Sequence, residues 1–508
     1  MSSRAKTPSF VLEVPLVVKP DAQRILLGRL EAGRRLYNAV LGDALKRLDA
    51  LRADPQYAAA GALPKKTRVR REAFAACRSH HGFSEYALHA CATAHKNAAG
   101  FADRLGAHET QTIATRVWKA VEHYAMGRRG RPRFKGARRP LRSIEGKSNK
   151  AGLRWNADIG ALLWGKVYLP ARLPTSKQDT YLHTGLKART KYCRLVWRMV
   201  RGRRCWFVQL IQEGQPPQKP KAQRRVGVVG LDIGPSTIAA VSDQGALFER
   251  FTPSVEQPWA MIRRLQRAQD RSRRAMNPEH FDAKGCIKPG PKRWRVSTRY
   301  RRRAAKLADT QRRLQAARKR DHGELANRLL AQGTTIQTET LSYRAFQRCF
   351  GRSVQVRAPA MFIAQLARKA ESAGGTLVLL DTRRLRMSQC DHVTGACTKK
   401  PLSQRWHALG GGPVLVQRDA YSALLAREVD EGAHNPSRLN RAWAAAEPLL
   451  RRVGLCRDQS AKGAAAVAPT LPGASEPIAR QRRLASGHGQ APDGPGDPAG
   501  FAFRTPRL

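Results

Sequence analysis

The sequence RVGVVGLDI, residues Arg225–Ile233, decides the fold class of the second half of this chain. It is a short apolar run that ends at an acid, Asp232, and such a run predicts a buried strand. A further apolar segment and the turn Asp243-Gln244-Gly245 follow, which is typical of a hairpin. Because Gly234 allows close approach of the backbone beside the acid, we interpret Asp232 as a functional carboxylate rather than a surface charge.

Two further acids occupy comparable positions later in the chain. Glu339 ends a predicted strand at 335–339, and Asp419 lies in the first turn of a predicted amphipathic helix at 418–430. A single acid is usually a helix cap or a surface charge, but three in this order match the converging carboxylates that two hard cations need for phosphodiester cleavage. The sequence therefore predicts that Asp232, Glu339 and Asp419 are catalytic and bind Mg²⁺ in a two-metal site of an RNase H-like domain.

The charge of the chain points to a polyanionic partner. Its 508 residues include 94 Lys plus Arg and 38 Asp plus Glu, a formal net charge of +56. The basic residues run along nearly the whole chain, whereas a protein of the membrane surface concentrates them on one amphipathic segment. Nine scattered cysteines, no run of about 18 apolar residues and no visible secretory signal predict a reducing, cytoplasmic location without a membrane partner.

The first half of the chain reads as a β-domain interrupted by helices. Alternating apolar residues from Ser9 to Lys19 predict a strand, and helical spacing predicts a helical insert over 21–125. Short strand signals return at 161–170, 192–200 and 205–212. The segment 215–223, which is rich in Pro, Gln and Lys, has the composition of a linker.

Two basic segments are predicted to contact nucleic acid. Between Lys292 and Arg320 there are thirteen Lys or Arg residues and one acid, Asp309, so ion pairs within the helix cannot balance the charge. Contact with nucleic-acid phosphates explains this excess of positive charge better than a solvent-exposed helix face does. For the aromatic residues Trp294 and Tyr300, base stacking and core packing are both open. The predicted contacts are Arg128, Arg129, Arg131, Arg133, Lys135, Lys292, Arg293, Arg295, Arg299, Arg301, Arg302, Arg303, Arg312, Arg313 and Arg418.

The three acidic motifs together resemble a known family. GLDIG at 230–234, TETLS at 338–342 and QRDAYSALLA at 417–426 are similar to the three nuclease motifs of the transposon-encoded TnpB proteins and of the type V CRISPR effector nucleases. Weaker similarity includes LYNAV at 36–40 and RPRFKG at 131–136. The resemblance covers about residues 9–455, and its motifs are specific in combination rather than singly.

The resemblance implies an α+β multidomain fold, in which insertions split an RNase H-like (RuvC) nuclease domain and a helical recognition domain interrupts an oligonucleotide-binding-like (OB-like) wedge domain. The implied ranges are 1–20 and 126–224 for the wedge domain, 21–125 for the recognition domain, 225–384 and 413–455 for RuvC with a basic helical insert at 258–332, and 385–412 for a degenerate zinc-ribbon-like insert. Composition predicts a disordered tail at 456–508. The implied activity is guide-RNA-directed, Mg²⁺-dependent cleavage of double-stranded DNA beside a short flanking motif, as in antiviral defence.

The chain departs from the family where a zinc ribbon is expected. Cys390, His392, Cys397 and His407 offer four ligands, but one, four and nine intervening residues do not match the paired spacing of a ribbon. The favoured interpretation is a degenerate ribbon held by packing, and zinc binding by these four residues is the alternative. The divergence favours a CRISPR effector over a transposon-encoded protein.

Two other functions remain compatible with the sequence. One is an RNA-guided protein that binds and silences its target without efficient cleavage. The other is a transposon-associated recombination nuclease of the same superfold, such as a transposase or a Holliday-junction resolvase. Three buried carboxylates are costly to hold together without a catalytic role, and the helical insert with the large positive charge suits a guide RNA, so the nuclease is favoured.

Overall fold

A computed structural model describes residues 7–136, 141–173, 180–217, 225–401 and 403–459. These residues fall into two compact units, one within Met1–Lys219 and one within Pro220–Pro498. Leu402, most of the predicted linker and the predicted tail from residue 460 onward lie outside the described residues. Over the described ranges, no helix combines the length and the apolar character that crossing a bilayer requires.

The first unit begins with one strand and a group of helices. The strand is β1 (Ser9–Leu16), and the helices are α1 (Pro20–Ala53), α2 (Pro55–Ala62), α3 (Arg68–His80), α4 (Glu85–Ala98) and α5 (Ala107–Ala125). Helix α1 begins at Pro20, where a missing backbone N–H costs nothing, and ends before Pro55, which disfavours helical geometry in the residue preceding it. Its buried stripe includes Leu30, Val40 and Leu48 and packs into one core with α4 and α5.

The rest of the first unit is mostly β-structure. Its elements are β2 (Ser143–Glu145), β3 (Leu153–Asn156), β4 (Ala161–Trp164), β5 (Val167–Pro170), α6 (Thr180–Leu186), β6 (Thr190–Val200) and β7 (Arg203–Glu213). They form a four-stranded antiparallel sheet in the order β1-β7-β6-β2 and a three-stranded sheet β3-β4-β5. Alternate residues of β1 are buried, as the apolar alternation of its sequence predicts.

A mixed five-stranded sheet is the centre of the second unit. Its strands are β8 (Val228–Ile233), β9 (Thr237–Ser242), β10 (Gly245–Arg250), β11 (Thr335–Glu339) and β12 (Thr376–Leu380), in the order β10-β9-β8-β11-β12. Strands β8, β9 and β10 form an antiparallel meander, whereas β11 pairs in parallel with both β8 and β12. The strand predicted from RVGVVGLDI is therefore the central one.

Helices cover both faces of this sheet. The helices of the second unit are α7 (Glu256–Met276), α8 (Thr298–Gln332), α9 (Tyr343–Arg357), α10 (Pro359–Ser372), α11 (Thr382–Leu385), α12 (Arg418–Arg427) and α13 (Pro436–Arg452). Residues of α8 and α10, including Leu329 and Phe362, pack on the face that carries Leu231. Helix α12 packs on the opposite face, against β8, β9 and β11.

Several predicted boundaries differ from the observed ones. The basic region predicted as one helix-like segment over 258–332 consists of two helices, α7 and α8, because Pro278, Pro289 and Pro291 interrupt it. The final strand β15 (Cys456–Asp458) belongs to a small sheet with β13 (Trp406–Ala408) and β14 (Val414–Gln417). The predicted disordered tail therefore started too early, since backbone pairing with β14 holds 456–458 in place.

Candidate active site

The site starts from a glycine in the central strand. On the face of β8 opposite Leu231, Gly230 meets helix α12 so closely that a Cβ atom there would lie 1.8 Å from the carbonyl oxygen of Ala423 and 2.5 Å from the backbone nitrogen of Arg427. Any larger residue would force the helix away. Side chains two apart on a strand share a face, so Asp232 also lies on the side of the sheet that α12 covers.

Strand pairing brings the second acid next to the first. The parallel register of β8 and β11 aligns Leu231 with Thr338, and the next residue of each strand is an acid, Asp232 in β8 and Glu339 in β11. The two carboxylates thus leave the same edge of the sheet on neighbouring strands. A backbone N–H of the buried residue Met387 donates a hydrogen bond to Glu339, which fixes the direction of that side chain.

The third acid comes from the helix. Asp419 is in the first turn of α12 and is buried, with 7% of its surface exposed. The Gln417 side chain caps the helix by accepting a hydrogen bond from the Ala420 backbone N–H, at 2.7 Å. Arg418 donates from Nε to Asp419 Oδ1 at 3.2 Å, and Arg405 Nη1 lies 3.8 Å from the other carboxylate oxygen. A short helix placed by Gly230 therefore carries Asp419 to the edge of the sheet.

The electrostatics of Asp232 connect it to the other two acids. Burial raises the pKa of Asp232 well above its usual range, and the negative charges of Asp419 and then Glu339 raise it further. Arg418 and a hydrogen bond from the Ile233 backbone N–H act in the opposite direction. Burial also raises the pKa of Glu339. A cluster of this kind is costly to ionise unless a cation compensates it.

The donor set suits hard cations. All three groups offer carboxylate oxygens, which are the ligands that Mg²⁺ prefers. Among the described residues, a group of three donor atoms all within 4.8 Å of one another occurs in the first unit, and the three acids do not form such a group. The oxygens of the acids are therefore more widely spaced. A wider spread is compatible with two cations about 3.5–4 Å apart, each held by some of the carboxylates. The residues present therefore fit Mg²⁺.

In this structure, the four candidate zinc ligands are engaged with protein groups. Cys390 and Cys397 are joined by a disulfide, so neither offers a thiolate. His392 Nδ1 lies 2.7 Å from the Tyr421 hydroxyl, and His407 Nδ1 lies 3.2 Å from Lys400 Nζ. Burial lowers the pKa of both histidines, to about 4 for His407, where Lys400 and Arg418 add to the effect. Packing and the disulfide hold the region in this structure, and zinc binding by these four residues stays a prediction.

The predicted nucleic-acid contacts differ in their exposure and in their partners. Exposed residues are Arg128, Arg129, Arg131, Arg133, Arg293, Arg295, Arg299, Arg301, Arg302 and Arg313. Several have structural partners, including the exposed Arg131, which pairs with Asp49 at 3.1 Å. Lys135 lies over the Tyr37 ring at 4.5 Å, Arg303 donates to the Ala268 carbonyl, and Arg312 and Arg313 both pair with Asp309 at 3.0 Å.

The two aromatic residues beside the second basic segment differ from the exposed arginines. Tyr300 is buried and accepts a hydrogen bond from Arg273, and Trp294 contacts Arg273 and His280. Tyr300 is therefore packed in the interior, whereas Trp294 is half-buried against Arg273 and His280. Lys292 is also engaged locally, because its Nζ donates to the Pro289 and Gly290 carbonyls.

Four residues near the acids were not recognised from the sequence. Gly230 is part of the GLDIG motif, and its spacing of two from Asp232 is the signal that a close helix contact lies on the same face. Arg405 and Met387 contribute through tertiary contacts that have no local signature. Asp381 follows β12 at the same edge of the sheet, but its carboxylate accepts from the Arg383 and Arg384 backbone N–H groups and caps α11.

Comparisons with known proteins give structural likeness only. No protein-family model matches the sequence, and no curated protein is significantly similar to it. Among solved structures, the chain is similar to that in a cryo-EM structure of the Cas12f1–sgRNA–target DNA complex, with a TM-score of 0.45 and 10% identity, covering 82% of this chain and 98% of that chain. A CRISPR–Cas12f ternary complex gives a TM-score of 0.28 and 11% identity, covering 82% and 86%. Both neighbours are of the type that the sequence motifs resemble.

Proposed function

We propose that this chain is an RNA-guided DNA endonuclease whose second unit is a split RuvC domain of the RNase H-like class. The observation that carries the proposal is the convergence of Asp232, Glu339 and Asp419, from two neighbouring strands and one helix, at one edge of the mixed sheet. We also propose that the antiparallel sheets of the first unit form the OB-like wedge domain and that α1–α5 form the recognition domain, in the ranges implied by the sequence.

The residues of the site have distinct roles in this proposal. Asp232, Glu339 and Asp419 would bind Mg²⁺, and the chemistry that the cations supply when bound is stabilisation of the charge that develops on the scissile phosphate. Met387 directs Glu339 through its backbone N–H. Arg418 directs Asp419 and offsets part of the negative charge of the cluster. The main role of the chain in this proposal is thus to position the three carboxylates, through the contact at Gly230 and the strand register.

A guided binder that does not cut is the second candidate. The observation that favours it is the pair of arginines on Asp419, because Arg418 at 3.2 Å and Arg405 at 3.8 Å compete with a cation for the same carboxylate. An arrangement of this kind is compatible with a site that binds DNA strongly and cleaves it slowly.

The test uses RNA that copurifies with the full chain. Its sequence defines a matched DNA duplex, which is prepared with a randomised flanking segment and assayed for cleavage and for binding in parallel. We expect Mg²⁺-dependent cleavage that Asp232→Asn abolishes, with binding unchanged or slightly tighter because one negative charge near the DNA phosphate is removed. Ca²⁺ should support binding but little cleavage, because its looser coordination positions reacting groups poorly.

Controls separate the catalytic role from general damage. Glu324→Gln removes an exposed carboxylate of α8 and should leave cleavage intact. Adding Glu339→Gln to Asp232→Asn should cost little more, because residues that act as one unit lose function non-additively. If the unmodified complex binds its target tightly and never cuts it in Mg²⁺ or Mn²⁺, the guided binder replaces the nuclease.

A further inference from the structure

We propose that Asp43, Cys91 and His95 form a zinc site that fastens α1 to α4 in the first unit. Cys91 and His95 are four residues apart on α4 and therefore lie on one face of it. Asp43, on α1, faces both of them. Its Oδ2 atom lies 2.6 Å from His95 Nε2 and 3.1 Å from Cys91 Sγ, and the three donor atoms are all within 4.8 Å of one another.

The types of donor suit zinc. A thiolate, an imidazole nitrogen and a carboxylate oxygen are each established zinc ligands, and three protein ligands leave a fourth position for water. With the usual zinc–ligand distances, tetrahedral geometry separates such donors by about 3.3–3.6 Å. The observed separations from Asp43 are those of hydrogen bonds, so the carboxylate needs to withdraw by less than about 1 Å. Side-chain rotation supplies a movement of this size.

The surroundings leave the site accessible yet anchored. Cys91 is buried, whereas the side chains of Asp43 and His95 are about one third exposed, so an ion can enter from the solvent side. On the other side, Leu88 and Ala92 of α4 are fully buried in the core that they share with α1. The two helices are therefore already in place, and an ion would meet ligands that need little reorganisation.

A plain ion pair explains only part of the cluster. The pair between Asp43 and His95 does not require a thiol, and Cys91 is a weak hydrogen-bond donor to the carboxylate. Zinc binds the thiolate form of a cysteine rather than the thiol. Binding must therefore release the thiol proton, which makes the affinity rise with pH. Arg47 favours the deprotonated forms of both Asp43 and Cys91, although its own charge weakens the attraction for a cation.

The experiment uses Co²⁺ as a spectroscopic probe in the full chain. The background protein carries Cys390→Ser and Cys397→Ser, so that reduction of their disulfide cannot supply a thiolate. Co²⁺ bound to a thiolate gives an intense charge-transfer band, whereas Co²⁺ on carboxylates or on phosphates of bound RNA does not. We expect one such site per chain, displacement of Co²⁺ by Zn²⁺ and a higher midpoint of thermal unfolding with Zn²⁺, since binding energy adds to folding energy.

Variants decide whether the band belongs to this cluster. Cys91→Ser should abolish it, and Cys77→Ser, which alters a buried cysteine of α3 outside the cluster, should leave it intact. His95→Gln changes a partly exposed side chain and should weaken Co²⁺ binding at least about 10–100-fold, the loss seen even for outer-shell partners. A folded background protein without the band, or a band that persists in Cys91→Ser, overturns the proposal and leaves an ion pair between Asp43 and His95.

Discussion

At the scale of single residues, Gly230 controls where Asp419 lies. A methyl group there would overlap the Ala423 carbonyl at 1.8 Å and push α12 off β8. We expect Gly230→Ala to lower the free energy of unfolding by at least about 1–3 kcal/mol, the usual range for overpacking. Cleavage should fall much further than stability alone explains, because the helix that is displaced carries one of the three acids. Chemical denaturation and a single-turnover cleavage assay measure the two effects.

Gly351→Ala is the matched control for that substitution. Gly351 is also in the second unit, in α9 directly after the non-helical backbone of Phe350, and the nearest atom to an added Cβ is 3.9 Å away. Alanine is favoured over glycine in helical backbone by up to about 0.5–1 kcal/mol, so stability should be unchanged or higher. Equal behaviour of the two variants would mean that the contact between α12 and β8 does not position the site.

A buried histidine makes the stability of the second unit depend on pH. His322 is stacked on Phe251 and hydrogen-bonded through Nε2 to the Arg357 carbonyl, and burial lowers its pKa from the usual 6.5 to about 4. The neutral form is favoured in the folded state, so its contribution is present above pH 6.5 and is lost as the pH falls toward 4. A difference of this size corresponds to about 3 kcal/mol at most.

His322→Gln separates this effect from other titrations. Glutamine keeps a donor for the Arg357 carbonyl and does not titrate. The raised pKa values of Asp232 and Glu339 act in the opposite direction, since protonation of these acids is easier in the folded state, but they are common to both proteins. Urea unfolding at pH 7 and pH 4.5 should show a smaller loss of stability for His322→Gln than for the unmodified chain. Identical losses would contradict a neutral buried His322.

At the scale of elements, the sequence predicts what local periodicity determines. The alternation in 9–19 and the apolar run ending at Asp232 correspond to β1 and to the central strand β8. The helical spacing after Pro20 corresponds to α1. In each case one face of the element is buried, and the spacing of the apolar residues identifies that face.

Elements that depend on distant partners were not predicted in the same way. Helix α13 contains Pro448 and was not recognised, although Asn435 caps it and Leu439 and Leu450 pack in the core beside α12. The strand β15 has only three residues and exists because β14 pairs with it. The convergence of the acids was predicted from their order in the sequence. The contact at Gly230 was not, because it depends on how α12 packs on β8, and local periodicity carries no information about that packing.

Helix α8 allows a sharper test of phosphate binding than a simple loss of charge. Arg301 and Arg302 are exposed on its first turns. Replacing both with Ala should weaken nucleic-acid binding and flatten the dependence of log affinity on log salt, by up to about one unit for each phosphate that the helix no longer neutralises. Fluorescence anisotropy with labelled RNA and DNA over a series of salt concentrations measures the slope.

Two arginines of the same helix are the control. Arg312 and Arg313 both pair with Asp309, at 3.0 Å, so part of their charge is already compensated within α8. Replacing these two with Ala removes the same formal charge and should change the slope less. Equal changes in both double variants would indicate that the total charge, rather than the exposed start of the helix, determines binding.

At the scale of the whole molecule, the large positive charge favours a polyanionic partner. A formal net charge of +56 on 508 residues produces strong self-repulsion. Exposed arginines occur in both units, at Arg128 and Arg129 in the first and at Arg299, Arg301 and Arg302 in the second. A partner that engages only one unit would leave the other uncompensated, so a long nucleic acid is expected.

We therefore expect the full chain to copurify with one dominant small RNA. Each phosphate neutralised releases condensed counterions, which makes the complex tight at low salt and progressively weaker as salt rises. Absorbance at two wavelengths, extraction and sequencing identify the RNA, and a wash at about 1 M salt, where the screening length falls to about 3 Å, should remove it and lower the thermal stability of the chain. Asp232→Asn should retain the same RNA, because the carboxylate cluster acts on DNA in the proposed function. A folded chain free of nucleic acid at moderate salt would contradict guide binding. A random mixture of cellular RNA would indicate that the positive charge binds RNA without specificity.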